Sequence, residues 1–117
     1  MSISIAAIAF DCRDAATVAA FWSAAFDIPL DSEPTLSEYF ASFGHNDPDA
    51  AASMMFIQVS ASKAVKNRVH LDLQTDDRAG EVERFVSLGT TIVHDKDEGN
   101  IRWTTLTDPE GNEFCVA

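Results

Sequence analysis

Apolar positions along the chain fall either at alternating or at helical spacing, and the order of these patterns repeats once. Ile3 to Cys12 is β-rich and closes at Arg13-Asp14, where Asp14 is placed to cap a following helix. Val18, Phe21, Trp22 and Ala25 then sit at i, i+3, i+4 and i+7, the spacing of an amphipathic helix with a buried aromatic stripe. That spacing assigns Trp22 to the core. Pro29 and Pro34 bracket a turn or edge segment. Tyr39–Phe43 and Ser53–Val59 read as strands, parted by a polar loop with Gly44, Asn46, Asp47 and Pro48.

Residues 60–67, small and polar with no hydrophobic period, read as a linker. After it the pattern restarts. Arg68–Leu73 is a strand, Asp76 or Asp77 caps a helix, and Val82, Phe85 and Val86 line one helix face ahead of a stop at Gly89. Thr90–His94 is the next strand, Asp95–Asn100 a polar, solvated turn, and Ile101–Leu106 another strand. Asp108-Pro109-Glu110-Gly111 has the residues of a type I turn, and Asn112–Val116 closes the chain.

Each half therefore reads strand, helix, then two or three strands. Laying Ile8–Cys12 over Val69–Leu73 matches apolar residues to apolar ones and Asp11 to Asp72. The period of about 60 residues, in only two copies, is too short a series for a solenoid. It predicts one α+β domain over 1–117, with a first module at about 1–60 and a second at about 67–117. Two βαβββ modules would form a pseudo-symmetric, curved antiparallel sheet enclosing a cleft, with the helices outside.

Composition narrows the partners. The chain has 117 residues, 46% of them hydrophobic, which suits one globular domain with a packed core. With 8 basic against 19 acidic residues the net charge is −11, so neither nucleic acid nor an anionic membrane surface is an expected partner. No apolar run reaches the roughly 18 residues of a membrane helix. The opening Met-Ser-Ile-Ser-Ile lacks the basic flank of a signal peptide, so the expected compartment is the cytoplasm, with Cys12 and Cys115 reduced.

The duplication, the stretch Asn67–Leu73, Gly89 at the helix end and the run from Trp103 through Asp108-Pro109-Glu110-Gly111-Asn112-Glu113-Phe114 resemble the vicinal oxygen chelate superfamily, in its glyoxalase-like branch. The likeness spans nearly the whole chain. It implies the glyoxalase/bleomycin resistance/dioxygenase fold and, by family habit, a homodimer whose modules pair within or between chains. It does not select one function, because the superfamily holds lyases, isomerases, dioxygenases, epimerases and antibiotic-sequestering proteins.

Enzymes of the superfamily hold a divalent metal on up to four residues, usually a His on each module's first strand and a Glu on each module's last strand. Carried over by position, these fall on His70, on Cys115, on Ala9 or Ala7, and on Gln58. A set reduced to His70, Gln58 and Cys115 does not make that oxygen-rich site, so no metal or other cofactor is expected.

The residues themselves leave alternatives. His70 alternates with Arg68 and Asp72 on one strand face, which suits acid–base chemistry or polar recognition in a cleft, or else a core histidine satisfied by Asp72. Gln58, in an apolar strand, lines a cleft or has a buried partner. Trp103 is core or a flat wall for an apolar ligand. Glu113 is a cleft acid or an exposed carboxylate beside the turn. Cys115 as a nucleophile lacks a titratable neighbour in sequence. Lys63, Lys66 and Arg68 attract an anion or decorate a solvated linker, and His45 and His94 face solvent. No phosphate-binding glycine loop, CxxC pair or HExxH motif occurs. The expected function is binding of a small organic molecule through His70, Gln58, Arg68, Trp103 and Cys115. The alternatives are a lyase or isomerase, either metal-dependent or with His70 as base, and a non-catalytic interaction module.

Overall fold

The computed structural model describes residues 2–32, 39–45 and 53–117. The expected features at Pro34 and at Asn46, Asp47 and Pro48 lie outside the described residues. The chain forms two compact units, Met1–Ser62 and Lys63–Ala117.

The first unit holds β1 (Ala7–Cys12), α1 (Ala15–Phe26), β2 (Phe40–Phe43) and β3 (Ser53–Gln58) in a sheet of order β1-β3-β2. An isolated antiparallel bridge joins Leu30 to Phe43. The Asp14 carboxylate caps α1 by accepting from the Thr17 N–H at 3.1 Å. Val18, Phe21, Trp22 and Ala25 are buried as their spacing requires, and Trp22 is 1% exposed. Its ring meets Phe10, Phe21 and Phe26 at centroid distances of 5.9, 5.1 and 5.6 Å. Each such fully buried aromatic stabilises the unit by about 2–3 kcal/mol. The first strand begins at Ala7, not Ile3. Among the described residues its register with β3 runs from Ala7 opposite Ser53, and Ile3 and Ile5 are exposed.

The second unit holds β4 (Leu71–Leu73), α2 (Arg78–Ser87), β5 (Thr91–Glu98), β6 (Ile101–Thr107) and β7 (Glu113–Val116), with sheet order β4-β7-β6-β5. Asp77 is the capping residue of the two candidates, accepting from the Gly80 N–H at 3.0 Å. Phe85 is the buried residue of α2, packed on Phe114 at 5.1 Å, whereas Val86 is 45% exposed. Gly89 has φ +101°, a conformation that side chains disfavour, and there the chain leaves the helix.

Both sheets are mixed, which corrects the antiparallel expectation. β1 pairs with β3 in parallel, and β4 pairs with β7 in parallel. In the second unit α2 returns the chain so that β5 runs with β4. Two hairpin reversals then leave β7 running with β4 as well, so their pairing is parallel.

Two further boundaries move. Asp95–Glu98 is strand, not turn, because it pairs with Ile101–Thr104 up to a reversal at Gly99-Asn100. There Asp95 binds Arg102 at 3.0 Å, and that hydrogen bond holds its carboxyl below the ordinary carboxylate range. Arg68–His70 precede the short β4, since β7 starts only at Glu113 and gives Arg68 and Val69 no strand partner. No helix among the described residues is long and apolar enough to cross a membrane.

Candidate functional site

The site grows from strand parity in the second unit. Along β6 and β7, the even-numbered Thr104, Leu106, Phe114 and Val116 are buried, and Phe114 meets α2 through Phe85. Trp103, Thr105, Glu113 and Cys115 take the opposite face. The register aligns one residue from each strand there: Asp72 opposite Cys115, Cys115 opposite Thr105, and Thr105 opposite His94. In the two antiparallel pairs, such directly opposite residues have Cβ atoms about 5 Å apart.

A cavity of about 460 Å³ lies over this face. Leu73, Ile101, Trp103 and Ala117 give it apolar walls, and Lys66, His70, Asp72, His94, Thr105, Glu113 and Cys115 complete the lining. The site residues named from sequence therefore separate. His70, Trp103 and Cys115 share the cavity, and Trp103 is one of its walls. Arg68 is exposed and does not line it. Gln58 belongs to the first unit, where its side-chain oxygen accepts from the Ala15 N–H at 3.4 Å, at the start of α1. Its polar group thus has a protein partner.

Glu113 is neither an exposed carboxylate nor a free acid. Its side chain is 14% exposed and binds the Lys63 amine at 2.8 Å, and it accepts from the Asn67 N–H at 3.2 Å. Burial pushes the Glu113 carboxyl up, but the hydrogen bonds from Lys63 and Asn67 outweigh it and hold the group below its ordinary value. Lys63 and Asn67 are thereby tied to β7 through Glu113, residues 63–66 are exposed, and Lys66 lies at the cavity. The turn before β7 is built on Asp108, which is 4% exposed. Its carboxylate accepts from the Glu110 N–H at 2.9 Å, the Asn112 N–H at 3.0 Å and the Asn112 side-chain amide at 2.9 Å. The Gly111 N–H donates to the Asp108 carbonyl at 2.9 Å, the bond expected of the predicted turn.

His94, expected to face solvent, lines the cavity, as do Thr105 and Lys66, the latter expected to attract an anion or to decorate a solvated linker. The parity of Thr105 with Trp103 was the available signal. His94 reaches the cavity only because the β5–β6 register sets it opposite Thr105.

Three groups converge more tightly. His70 Nδ1 lies 3.1 Å from Asp72 Oδ1, and Cys115 Sγ lies 3.3 Å from Thr105 Oγ1. A ring nitrogen of His70, a carboxylate oxygen of Asp72 and Cys115 Sγ all lie within 4.8 Å of one another. Cys115 is half-buried and Cys12 is buried, and neither forms a disulfide.

The donor set can be compared with the superfamily's metal site. By register Asp72 faces Cys115 as Asp11 faces Ile57, so the first-unit counterpart of Cys115 is Ile57, one residue before Gln58. The counterpart of His70 is Ala9. Neither Ala9 nor Ile57 offers a ligand atom. An imidazole, a thiol and one carboxylate do not fit an oxygen-rich divalent site; that combination is closer to the ligands of zinc.

Comparison with known proteins agrees with this architecture. The family model of the glyoxalase-like domain matches residues 7–117. A comparison with the curated proteins finds no match. Among solved structures, a variant of the fosfomycin resistance protein FosX from Listeria monocytogenes, complexed with Mn(II) and 1S,2S-dihydroxypropylphosphonic acid, is similar at TM-score 0.78 and 15% identity, covering 99% of this chain and 90% of that one. FosX from Mesorhizobium loti is similar at TM-score 0.74 and 17% identity, over 99% of this chain and 92% of that one. A glyoxalase/bleomycin resistance protein/dioxygenase family enzyme from Burkholderia phytofirmans reaches TM-score 0.75 at 19% identity, over 97% of each chain. At these identities the likeness is one of fold. With the family model matching from the first strand to the last residue, the chain belongs to the glyoxalase-like domain family.

Proposed function

We propose that the chain binds a small, mainly apolar organic molecule in the cavity of its second unit, without the superfamily's four-residue metal set. The observation that carries this reading is the cavity itself. About 460 Å³ lies within the range of small-ligand sites, and the lining combines Leu73, Ile101, Trp103 and Ala117 with a set of polar groups. Trp103 offers a flat face for a planar or alicyclic body. Lys66, His70, His94 and Thr105 are among the groups that can donate hydrogen bonds to an oxygen-bearing end of the ligand. The pairing of Asn67 and Lys63 with Glu113 removes that carboxylate as a free anion, which favours a neutral or anionic ligand.

The test is a titration of tryptophan fluorescence with benzylacetone, an aromatic ketone of suitable size, and with fosfomycin. Trp22 is buried in the first unit, so it serves as the unresponsive emitter. Saturable quenching by at least one compound, lost in Trp103→Leu, is the expected result. Quenching that survives Trp103→Leu unchanged, or no saturable response to either compound, refutes the assignment.

A second reading, a lyase or isomerase that needs no metal, is favoured by the 3.1 Å contact between Asp72 and His70, because a carboxylate at Nδ1 orients an imidazole for proton transfer. Turnover of a bound carbonyl compound that disappears in His70→Ala would support it.

A further inference from the structure

Resting on that reading of the cavity, we infer that Cys115 is a nucleophile activated by His70 and Asp72, and that the site captures α,β-unsaturated carbonyl compounds as covalent thioether adducts. In sequence Cys115 has no titratable partner. The tertiary structure supplies two: a His70 ring nitrogen and an Asp72 carboxylate oxygen, both within 4.8 Å of its sulfur. Asp72, 3.1 Å from His70 Nδ1, orients the imidazole, and the Cys115 thiol stands in the same cluster as a proton donor to it. Thr105 Oγ1, 3.3 Å from Sγ, can donate a hydrogen bond to the resulting thiolate. Nucleophile, base and orienting carboxylate therefore stand in one cavity wall, beside the apolar face of Trp103.

The ligand class follows from what this set holds. Lys66 and His94 border the same cavity and are placed to stabilise a carbonyl oxygen as it gains charge. In the step, the thiol proton passes to His70 and the sulfur forms a bond to the β-carbon. The C=C π pair shifts through the α-carbon onto the carbonyl oxygen as an enolate. The imidazolium proton then returns to the α-carbon. One S–H and one C=C become one S–C and one C–H, with no oxidant or reductant needed.

The experiment compares benzylideneacetone, which has the conjugated double bond, with benzylacetone, which lacks it. Intact mass and peptide mapping follow adduct formation, with glutathione as the free-thiol reference and Cys12, 1% exposed, as the internal control thiol. The expected result is a single adduct on Cys115, formed faster than on glutathione at the same pH, and slowed roughly 10²-fold by His70→Ala. His70→Gln is run beside it, and circular dichroism confirms that both variants are folded. Asp72→Asn is expected to slow adduct formation, by less than His70→Ala does. Reaction of Cys115 no faster than glutathione, or unaffected by either His70 variant, overturns covalent capture while saturable benzylacetone quenching leaves the binding reading intact. If neither compound binds or reacts, both readings fall.

Discussion

Lys63→Met tests how the second unit holds its cavity wall. The Lys63 amine and the Glu113 carboxylate are 2.8 Å apart, with side chains 23% and 14% exposed. At that distance and an effective dielectric near 20, the gross attraction is about 6 kcal/mol. Desolvating both groups returns most of it, and water still reaches the amine, so the net loss on substitution is about 1–2 kcal/mol. Asn67 continues to donate to Glu113 in the variant. The melting temperature should fall by roughly 4–8 °C at neutral pH. The pH dependence has a definite sign. The folded Glu113 carboxyl is held below its reference value of 4.5, so its contribution is present above the unfolded pKa and is lost as pH falls through the folded one. Urea unfolding of wild type and variant at a series of pH values between 7 and 3 should show the full difference at pH 7 and a shrinking one below about pH 4. An equal difference across the whole series, or none at pH 7, would refute the pairing as a source of stability.

Asp108→Ala removes the acceptor of three turn hydrogen bonds and should cost about 2–4 kcal/mol, because the half-buried Glu110 and Asn112 donors regain water only in part; chemical denaturation measures it. Gly80→Ala tests the helix cap, since a Cβ at Gly80 would collide with the Asp77 carboxylate. The usual helix gain of about 0.5–1 kcal/mol should be absent in the wild-type background and restored in Asp77→Ala, as a double-mutant cycle would show. Elemental analysis after incubation with manganese(II), nickel(II) and iron(II) and removal of excess should find sub-stoichiometric retention of each ion. Near-stoichiometric binding of one of them would show that Ala9 and Ile57 are replaced as ligands by other groups.

Much of the architecture is carried by local pattern. The Val18, Phe21, Trp22 and Ala25 spacing, the Asp14 and Asp77 caps, the positive φ at Gly89 and the Asp108–Gly111 turn all act between residues close in sequence, so they were legible there. The repeat was legible too, because each module buries one helix on one small sheet and must reuse the same apolar positions. What sequence could not decide was pairing. Whether β4 runs with or against β7 depends on how many reversals separate them, and whether Asp95–Glu98 is turn or strand depends on a partner strand existing opposite it. The site has the same character. Arg68 shares sequence parity with His70 yet precedes the strand, and Gln58 turns to the backbone of α1. Asp72, Cys115, Thr105 and His94 lie far apart in the chain and become neighbours only through the β4-β7-β6-β5 register. Side-chain chemistry is written residue by residue, but which groups share a cavity is set by long-range hydrogen-bond register, and that is a property of the folded chain alone.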